Sequence, residues 1–352
     1  MALFPPQLRD WQLPSEAALT PHALRRVCRE SAVQPFERAA QAINEDWQTQ
    51  LDPKQLQRWA EPVGARMAAE RDAEVRRSEA GRPPEAPATP PEILAVSLDG
   101  GRIQMREKNI ENGSRWREDK VAAITSYKAG RGEIKPEPVC TTYVATLDGC
   151  DAFKKMARVE AERRGLNRAE QVLVLGDGGN WIDPIAEQEF REAERILDWY
   201  HASEHLHACA RAVHGAETPA AKRLGKKLET ELWNGRVRGV IAKLKKFSEE
   251  AGSPRSCDGL DHPRRVLANN VGYFEKNAAH MDYPRYRIHG WPIGSGNVEA
   301  GVKQFNKRVK GTDQFWQPQG AEAMLSLRAC WISQDLRWSR YWSRRPAYFF
   351  AA

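Results

Sequence analysis

Two aspartates of this sequence share one setting. Asp99 follows the apolar run Ile93-Leu-Ala-Val-Ser-Leu98 and precedes Gly100-Gly101, while Asp177 follows Gln171-Val-Leu-Val-Leu175 and precedes Gly178-Gly179. Each run has the length and composition of a buried strand, so each acid is expected at a strand tip where glycines leave clearance for a ligand. Either motif alone reads as an ordinary Asp-Gly turn. The repeated arrangement is better explained by metal and phosphate binding, because a turn would equally tolerate Asn or Ser. Glu299 supplies a third acid. In Gly294-Ser-Gly-Asn-Val-Glu299 the glycines open the chain before a helix, Ser295 or Asn297 can cap it, and Glu299 falls in its first turn, where it also complements the helix dipole. Val298, Val302, Phe305 and Val309 form one stripe that holds Glu299 at the edge of the core; Lys303, Lys307 and Lys310 recur on the other side and suit a helix lying along a DNA backbone.

Two aspartates and a glutamate are hard oxygen ligands of the kind magnesium takes. Two such ions, about 3.5 to 4 Å apart, can activate the attacking oxygen and stabilise the leaving oxygen of an in-line phosphoryl displacement. Gly294-Ser-Gly296 is not a nucleotide loop, since no strand, Walker lysine or downstream ribose acid accompanies it.

The elements that must position these residues can be read along the chain. Residues 31 to 70 predict two helices, one with Phe36, Ala39, Ala40 and Ile43 on a face, the next with Leu56, Trp59 and Val63 and a start signal at Asp52-Pro53. Such a pair has the form of a helix-turn-helix DNA reader, and equally of two helices packed on a neighbour. The proline-rich run 81 to 92 predicts an extended linker and a domain boundary. Strands are expected at 93 to 98, 102 to 106, 120 to 127 and 138 to 147, the early ones as an antiparallel meander. A helix at 151 to 164, a strand at 171 to 175, a helix at 184 to 191 and a strand at 195 to 198 follow. Together they predict the α/β, mixed sheet of an RNase H-like domain. Residues 202 to 282 read as wholly helical, with breaks near Gly215, Gly235 and Gly252, and the last helices are expected at 296 to 310 and 319 to 336. The division that results is an all-α N-terminal region (1–80), a linker (81–92), a catalytic core in two parts (93–205 and 286–352), and a helical insertion (206–285).

With 54 Lys and Arg against 47 Asp and Glu among 352 residues, the net charge is +7, a balance that favours a polyanionic partner without excluding a plain cytoplasmic enzyme. No run approaches the roughly 18 apolar residues of a membrane helix and no apolar signal core opens the chain, so a cytoplasmic protein without a membrane partner is expected. Six cysteines without a C-x-x-C pair argue against a zinc ribbon and a disulfide framework.

The segments V-S-L-D-G-G-R around Asp99, L-G-D-G-G-N-W around Asp177, Asp198-Trp-Tyr-His201 and G-S-G-N-V-E around Glu299 together resemble the ISKra-type insertion-sequence transposases, relatives of the Mutator-like DDE enzymes, over about residues 31 to 345. The resemblance implies an RNase H-like core with a helical insertion between the second Asp and the Glu, and a DDE transposase that cleaves DNA and transfers strands. Asp99, Asp177 and Glu299 would be the catalytic ligands of two Mg2+ ions, for which Mn2+ can substitute. Asp198 and His201 match a D-x-x-H motif that supports the active site or contacts DNA. The partners implied are transposon-end and target DNA, bound by a homodimer or higher oligomer, with the protein nucleoid-associated when on DNA. His205 and His207 do not complete a zinc site with His201, because 207 points roughly 200° away from 205 on a helix. Near the C-terminus Trp316, Trp331, Trp338 and Trp342 alternate with arginines; Trp331 is expected in the core, and Arg328 and Arg337 are candidate DNA contacts. A nuclease of the same fold without strand transfer, and a domesticated DNA-binding regulator, are the competing functions.

Overall fold

The computed structural model describes residues 19–109, 113–132, 134–294, 296–311 and 314–343. Three helices come first: α1 (Pro21–Val33), α2 (Phe36–Trp47) and α3 (Pro53–Glu79). The start of α3 is the one the sequence signals, with the Asp52 carboxylate accepting from the Lys54 N–H at 2.7 Å and Gln55 Oε1 accepting from the Asp52 N–H at 2.9 Å. Val27, Ala39, Ala40, Ile43 and Leu56 bury together between the three. Residues 81–92 form neither helix nor strand, as their prolines require. Arg168 pins this stretch to the body by donating to the Pro87 and Ala88 carbonyls at 2.9 and 3.0 Å. The helices before it share a core with the sheet after it: Cys28, Val63 and Met67 pack in one cluster with Ile103, Val121 and Phe305.

The sheet is built from β1 (Ile93–Gln104), β2 (Trp116–Lys128) and β3 (Glu137–Thr146), then, after α4 (Cys150–Arg163), β4 (Gln171–Gly176), α5 (Ile182–Glu189) and β5 (Glu194–Leu197). Strand order is β3-β2-β1-β4-β5, with β1, β2 and β3 an antiparallel meander and β4 and β5 running parallel to β1. This is the RNase H-like mixed sheet, and the chain is α/β. The strands expected at 93 to 98 and 102 to 106 are one: Gly100 and Gly101 are not a turn but extended residues, paired with Lys120 and Asp119. Alternation along β1 sends Leu94, Val96 and Leu98 under α4 and α5. The opposite face, with Ile93, Ala95, Ile103 and Met105, meets the later helices.

Those later helices are α6 (Trp199–His214), α7 (Pro219–Trp233), α8 (Val237–Ala251), α9 (Pro263–Asn277) and the short α10 (Tyr283–Ile288), then α11 (Gly296–Val309), α12 (Pro318–Ile332) and α13 (Arg337–Ser343). The run from α6 to α9 breaks where glycine alone is comfortable, at Gly215, Gly235 and Gly252, with φ of 85°, 78° and 84°. After α12 the chain turns to cover the sheet edge: the Gln334 N–H donates to the Thr141 carbonyl at 3.0 Å, and the Tyr143 N–H donates to Ser333 Oγ at 3.0 Å. None of the described helices is long and apolar enough to cross a membrane.

Helices α3 and α12 cross backbone to backbone at Gly64, where a Cβ would stand 2.2 Å from the Ala323 carbonyl oxygen. Gly64→Ala therefore has to push two helices apart, and a loss of about 1–3 kcal/mol in urea unfolding is expected, the range typical of overpacking. An unchanged midpoint and slope would show that the crossing is looser than this.

Candidate active site

The last parallel pair between β1 and β4 is Ser97 with Leu175. Two residues further along stand Asp99, still within β1, and Asp177, one residue past the end of β4, near enough for its charge to act on the Asp99 carboxyl. Asp177 does sit at a strand tip, since β4 ends at Gly176. Asp99 does not, because β1 continues through the glycines to Gln104 along β2; what ends beside Asp99 is its parallel neighbour. Asp99 Oδ1 accepts from the Gly100 N–H at 2.7 Å and Asp177 Oδ1 from the Gly179 N–H at 2.9 Å.

A further acid comes from the next strand. Asp198 follows β5, is fully buried, is fixed by its N–H donating to the Gly176 carbonyl at 2.9 Å, and caps α6 by accepting from the His201 N–H at 2.9 Å. Its Oδ1 is also 3.4 Å from His201 Nδ1, and that nitrogen is 3.9 Å from Glu299 Oε1. The Trp199 N–H donates to the Ile293 carbonyl at 2.9 Å, so the start of α6 seats the chain that leads into α11 and delivers Glu299 in its first turn. Ligand atoms of Asp198, His201 and Glu299 lie within 4.8 Å of one another, a group able to hold a metal ion. Val302, Phe305 and Val309 are buried as the stripe predicts; Ser295 and the side chains of Asn297 and Val298 lie outside the described residues.

Helix α9 buttresses this site. From α9, Tyr273 donates its hydroxyl to the Asp177 carbonyl at 2.8 Å and Lys276 donates to Asn180 Oδ1 at 2.9 Å. Gly178, at φ 85°, would bring a Cβ to 3.0 Å from Asn277 Nδ2 and the Tyr273 ring, so this loop closes against α9 only with glycine. His205 stacks on Tyr273 at 3.9 Å between ring centroids, with Nδ1 2.6 Å from Asn270 Oδ1, and His207 packs against Gly225. Neither joins the metal-capable group.

Crowding of like charges shows in the titration of the site. Burial, with the charges of Asp177 and Glu299 adding to it, raises the Asp99 carboxyl to about 6 against the opposing Gly100 N–H and His201. The hydrogen bond to Asp198, with the charges of Asp198, Asp177 and Glu299, raises His201 to about 9 in spite of its burial. His201 is therefore a cation at neutral pH, set among carboxylates. Among the described residues the group whose ligand atoms lie within 4.8 Å of one another is Asp198, His201 and Glu299; the sequence-predicted Asp99 and Asp177 are not in it.

Lys303, Lys307 and Lys310 are all exposed; Lys303 stands 3.6 Å from Glu299 and Lys310 lies over the Trp116 ring at 5.4 Å. Arg328 and Arg337 are not placed to grip DNA. Arg328 is buried and donates to the Ala32 carbonyl at the end of α1 at 2.8 Å, and Arg337 lies between the buried carboxylates of Glu160 and Asp335. The Arg and Trp alternation that suggested a nucleic-acid surface is core packing: Trp316, Trp338 and Trp342 are buried, and Trp331 stacks edge-on against Trp338 at 5.2 Å. Sequence reasoning missed Tyr273 and Lys276, which carry no motif, and Asp119, whose position opposite Gly101 only the strand register reveals.

No family model matches the chain. No curated protein matches it either. Among solved structures the chain is similar to the Drosophila P element transposase strand transfer complex, at 9% sequence identity and a TM-score of 0.38, over 94% of this chain and 98% of that chain. At that score the likeness bears on neither substrate nor chemistry.

Proposed function

We propose that this protein is a DDE-type DNA transposase of an insertion sequence, performing metal-dependent strand cleavage and strand transfer. What supports the reading is that the charges of Asp177, just past the end of β4, and of Glu299 both act on the Asp99 carboxyl of the neighbouring strand β1, while His201 stands between Asp198 and Glu299. Asp99, Asp177 and Glu299 would hold two divalent cations, Mg2+ or Mn2+, which when bound activate the attacking oxygen and stabilise the leaving oxygen at phosphorus. Asp198 fixes the ring of His201, and the protonated ring, part-exposed beside Glu299, offers a charge-assisted hydrogen bond to a DNA phosphate. The test is incubation with DNA fragments carrying the sequence that flanks the gene: joined products identify strand transfer, hydrolysed ends alone identify a nuclease, and no metal-dependent product removes both.

The DNA path follows the exposed side of α11 and continues onto the β1–β2 hairpin, whose arms expose Arg106, Lys108, Arg115 and Arg117 beside Trp116. Charge reversal of Lys303, Lys307 and Lys310 together should weaken DNA binding and flatten the slope of log K against log salt by about 0.9 for each phosphate no longer neutralised. Unchanged affinity with an unchanged slope would move the DNA to another face.

A further inference from the structure

Asp119 is fully buried on β2, and among the described residues neither of its carboxylate oxygens has a hydrogen-bond partner. The register sets it directly across from Gly101 and diagonally from Asp99, two residues away on the same face; side chains so related have backbones roughly 7–8 Å apart, within reach of one another. The carboxylate lies flat over Gly101, where a Cβ would meet Oδ1 at 2.6 Å and Oδ2 at 2.9 Å. The second glycine of the Asp-Gly-Gly motif thus makes room for a buried acid, where the sequence had suggested clearance for a ligand. The cation next to it in sequence, Lys120, points to the other face of β2 and pairs with Glu118 at 3.0 Å.

An enclosed carboxyl without partners is unfavourable in either form: ionised, it is a desolvated charge, and neutral, it is a donor and acceptor with nothing to bind. A second acid, Asp99, stands diagonally across the same ladder and adds to the cost. A divalent cation relieves both at once.

We propose that Asp119 is a fourth carboxylate of the metal centre, facing the divalent cation that Asp99 holds. The inference rests on the two-metal reading above and adds to it a residue on β2, outside the Asp, Asp, Glu set. Its test needs no turnover. Mn2+ binding to the full-length protein is followed by the electron paramagnetic resonance signal of free Mn2+, and thermal melting is recorded in EDTA and in Mn2+, for wild type, Asp119→Asn and Asp177→Asn. Asp119→Asn should weaken Mn2+ binding about 10- to 100-fold, the scale seen when groups supporting a metal site are lost. Its melting temperature in EDTA should equal or exceed that of wild type, because a buried like charge has been removed, while the rise on adding Mn2+ should shrink. A residue with a merely structural role would lower both melting temperatures equally and leave the rise intact. Wild-type Mn2+ affinity in Asp119→Asn, with Asp177→Asn still impaired, overturns the assignment of Asp119 and leaves the active-site reading standing. Wild-type affinity in Asp177→Asn as well overturns both. Should Asp119→Asn not fold, Asp119→Ser, smaller and uncharged, carries the same comparison.

Discussion

Asp177→Asn is expected to abolish metal-dependent cleavage, by about 10²–10³-fold or more, the scale on which removal of one preorganised electrostatic partner acts, while leaving the fold and DNA binding in place. The substitution keeps the size of the side chain and the oxygen that accepts the Gly179 N–H at 2.9 Å, so the loop after β4 has no cause to move. What it removes is a negative charge just past the end of β4, near enough to act on the Asp99 carboxyl. A site built from few carboxylates has little charge to hold two divalent cations, so occupancy and in-line attack should fall together. DNA binding should persist, because the proposed phosphate contacts are the exposed lysines of α11, and loss of an acid beside them favours a polyanion. Cleavage and strand transfer on a labelled fragment, in Mg2+ and in Mn2+, are measured beside a gel shift and a circular dichroism melt of the same protein. Near wild-type cleavage removes Asp177 from the catalytic set.

The sheet is legible because its strands are apolar runs bounded by turn residues, and the helical stretch after it because glycines punctuate it. Of the predicted acids, Asp177 stands just past the end of β4 and Glu299 in the first turn of α11, as their glycine-flanked motifs suggest, whereas Asp99 lies inside β1. What the linear pattern could not carry was pairing. Gly100-Gly101 reads as a turn in one dimension, yet β2 supplies partners that extend β1 through both residues and bring Asp119 over the second. Helix α1 carried local signals, with Thr20 Oγ1 accepting from the Ala23 N–H at 3.2 Å and Leu24, Val27 and Cys28 buried at helical spacing, and was passed over among charged neighbours. The expected helix at 319 to 336 stops at Ile332, because Ser333 and Gln334 leave it to pair with the edge of β3. Arg328 and Arg337 misled for a related reason: an arginine spaced among tryptophans looks the same whether it faces phosphate or a helix end.

The support of the site is also spread further than its motifs. Asp177 is held by α9 through Tyr273, Asp198 by β4 through the Gly176 carbonyl, and Glu299 by the chain that Trp199 anchors. The helix bearing Glu299 is in turn tied to the N-terminal helices by Arg308, fully buried, whose guanidinium donates to the Ser31 carbonyl and lies over the Phe36 ring at 4.5 Å. Cations at the last carbonyls of α1 complement its dipole, so Arg308 and Arg328 dock α1 onto α11 and α12 as much as they stabilise it.

Arg337→Met should be the most destabilising of the substitutions considered, by about 3–5 kcal/mol, because it removes one partner of a buried ion network and leaves the others in place. Arg337 donates to Glu160 Oε2 at 3.1 Å and through Nε to Asp335 Oδ1 at 2.8 Å, while Arg163 donates to the same Glu160 oxygen at 2.6 Å and reaches on to Glu74. The network joins α3, α4 and α13 beneath the edge of the sheet. Burial alone would raise the Glu160 carboxyl, but the guanidiniums of Arg337 and Arg163 outweigh it and hold Glu160 below its ordinary value; Asp335 is lowered in the same way, burial being outweighed by Arg337. Both folded values lie below the unfolded ones, so their stabilisation is fully present above the unfolded values, about 4.3 for Glu and 3.9 for Asp, and is lost as pH falls through the folded ones. In Arg337→Met burial is less opposed, and both carboxyls should take up protons at higher pH than in wild type. The deficit should therefore be largest near neutrality and narrow in acid, as protonation discharges the stranded carboxylates. Urea unfolding of both proteins at pH 7 and near pH 4 measures this directly. A deficit that is small at pH 7, or that widens in acid, would show that the network contributes packing and not charge.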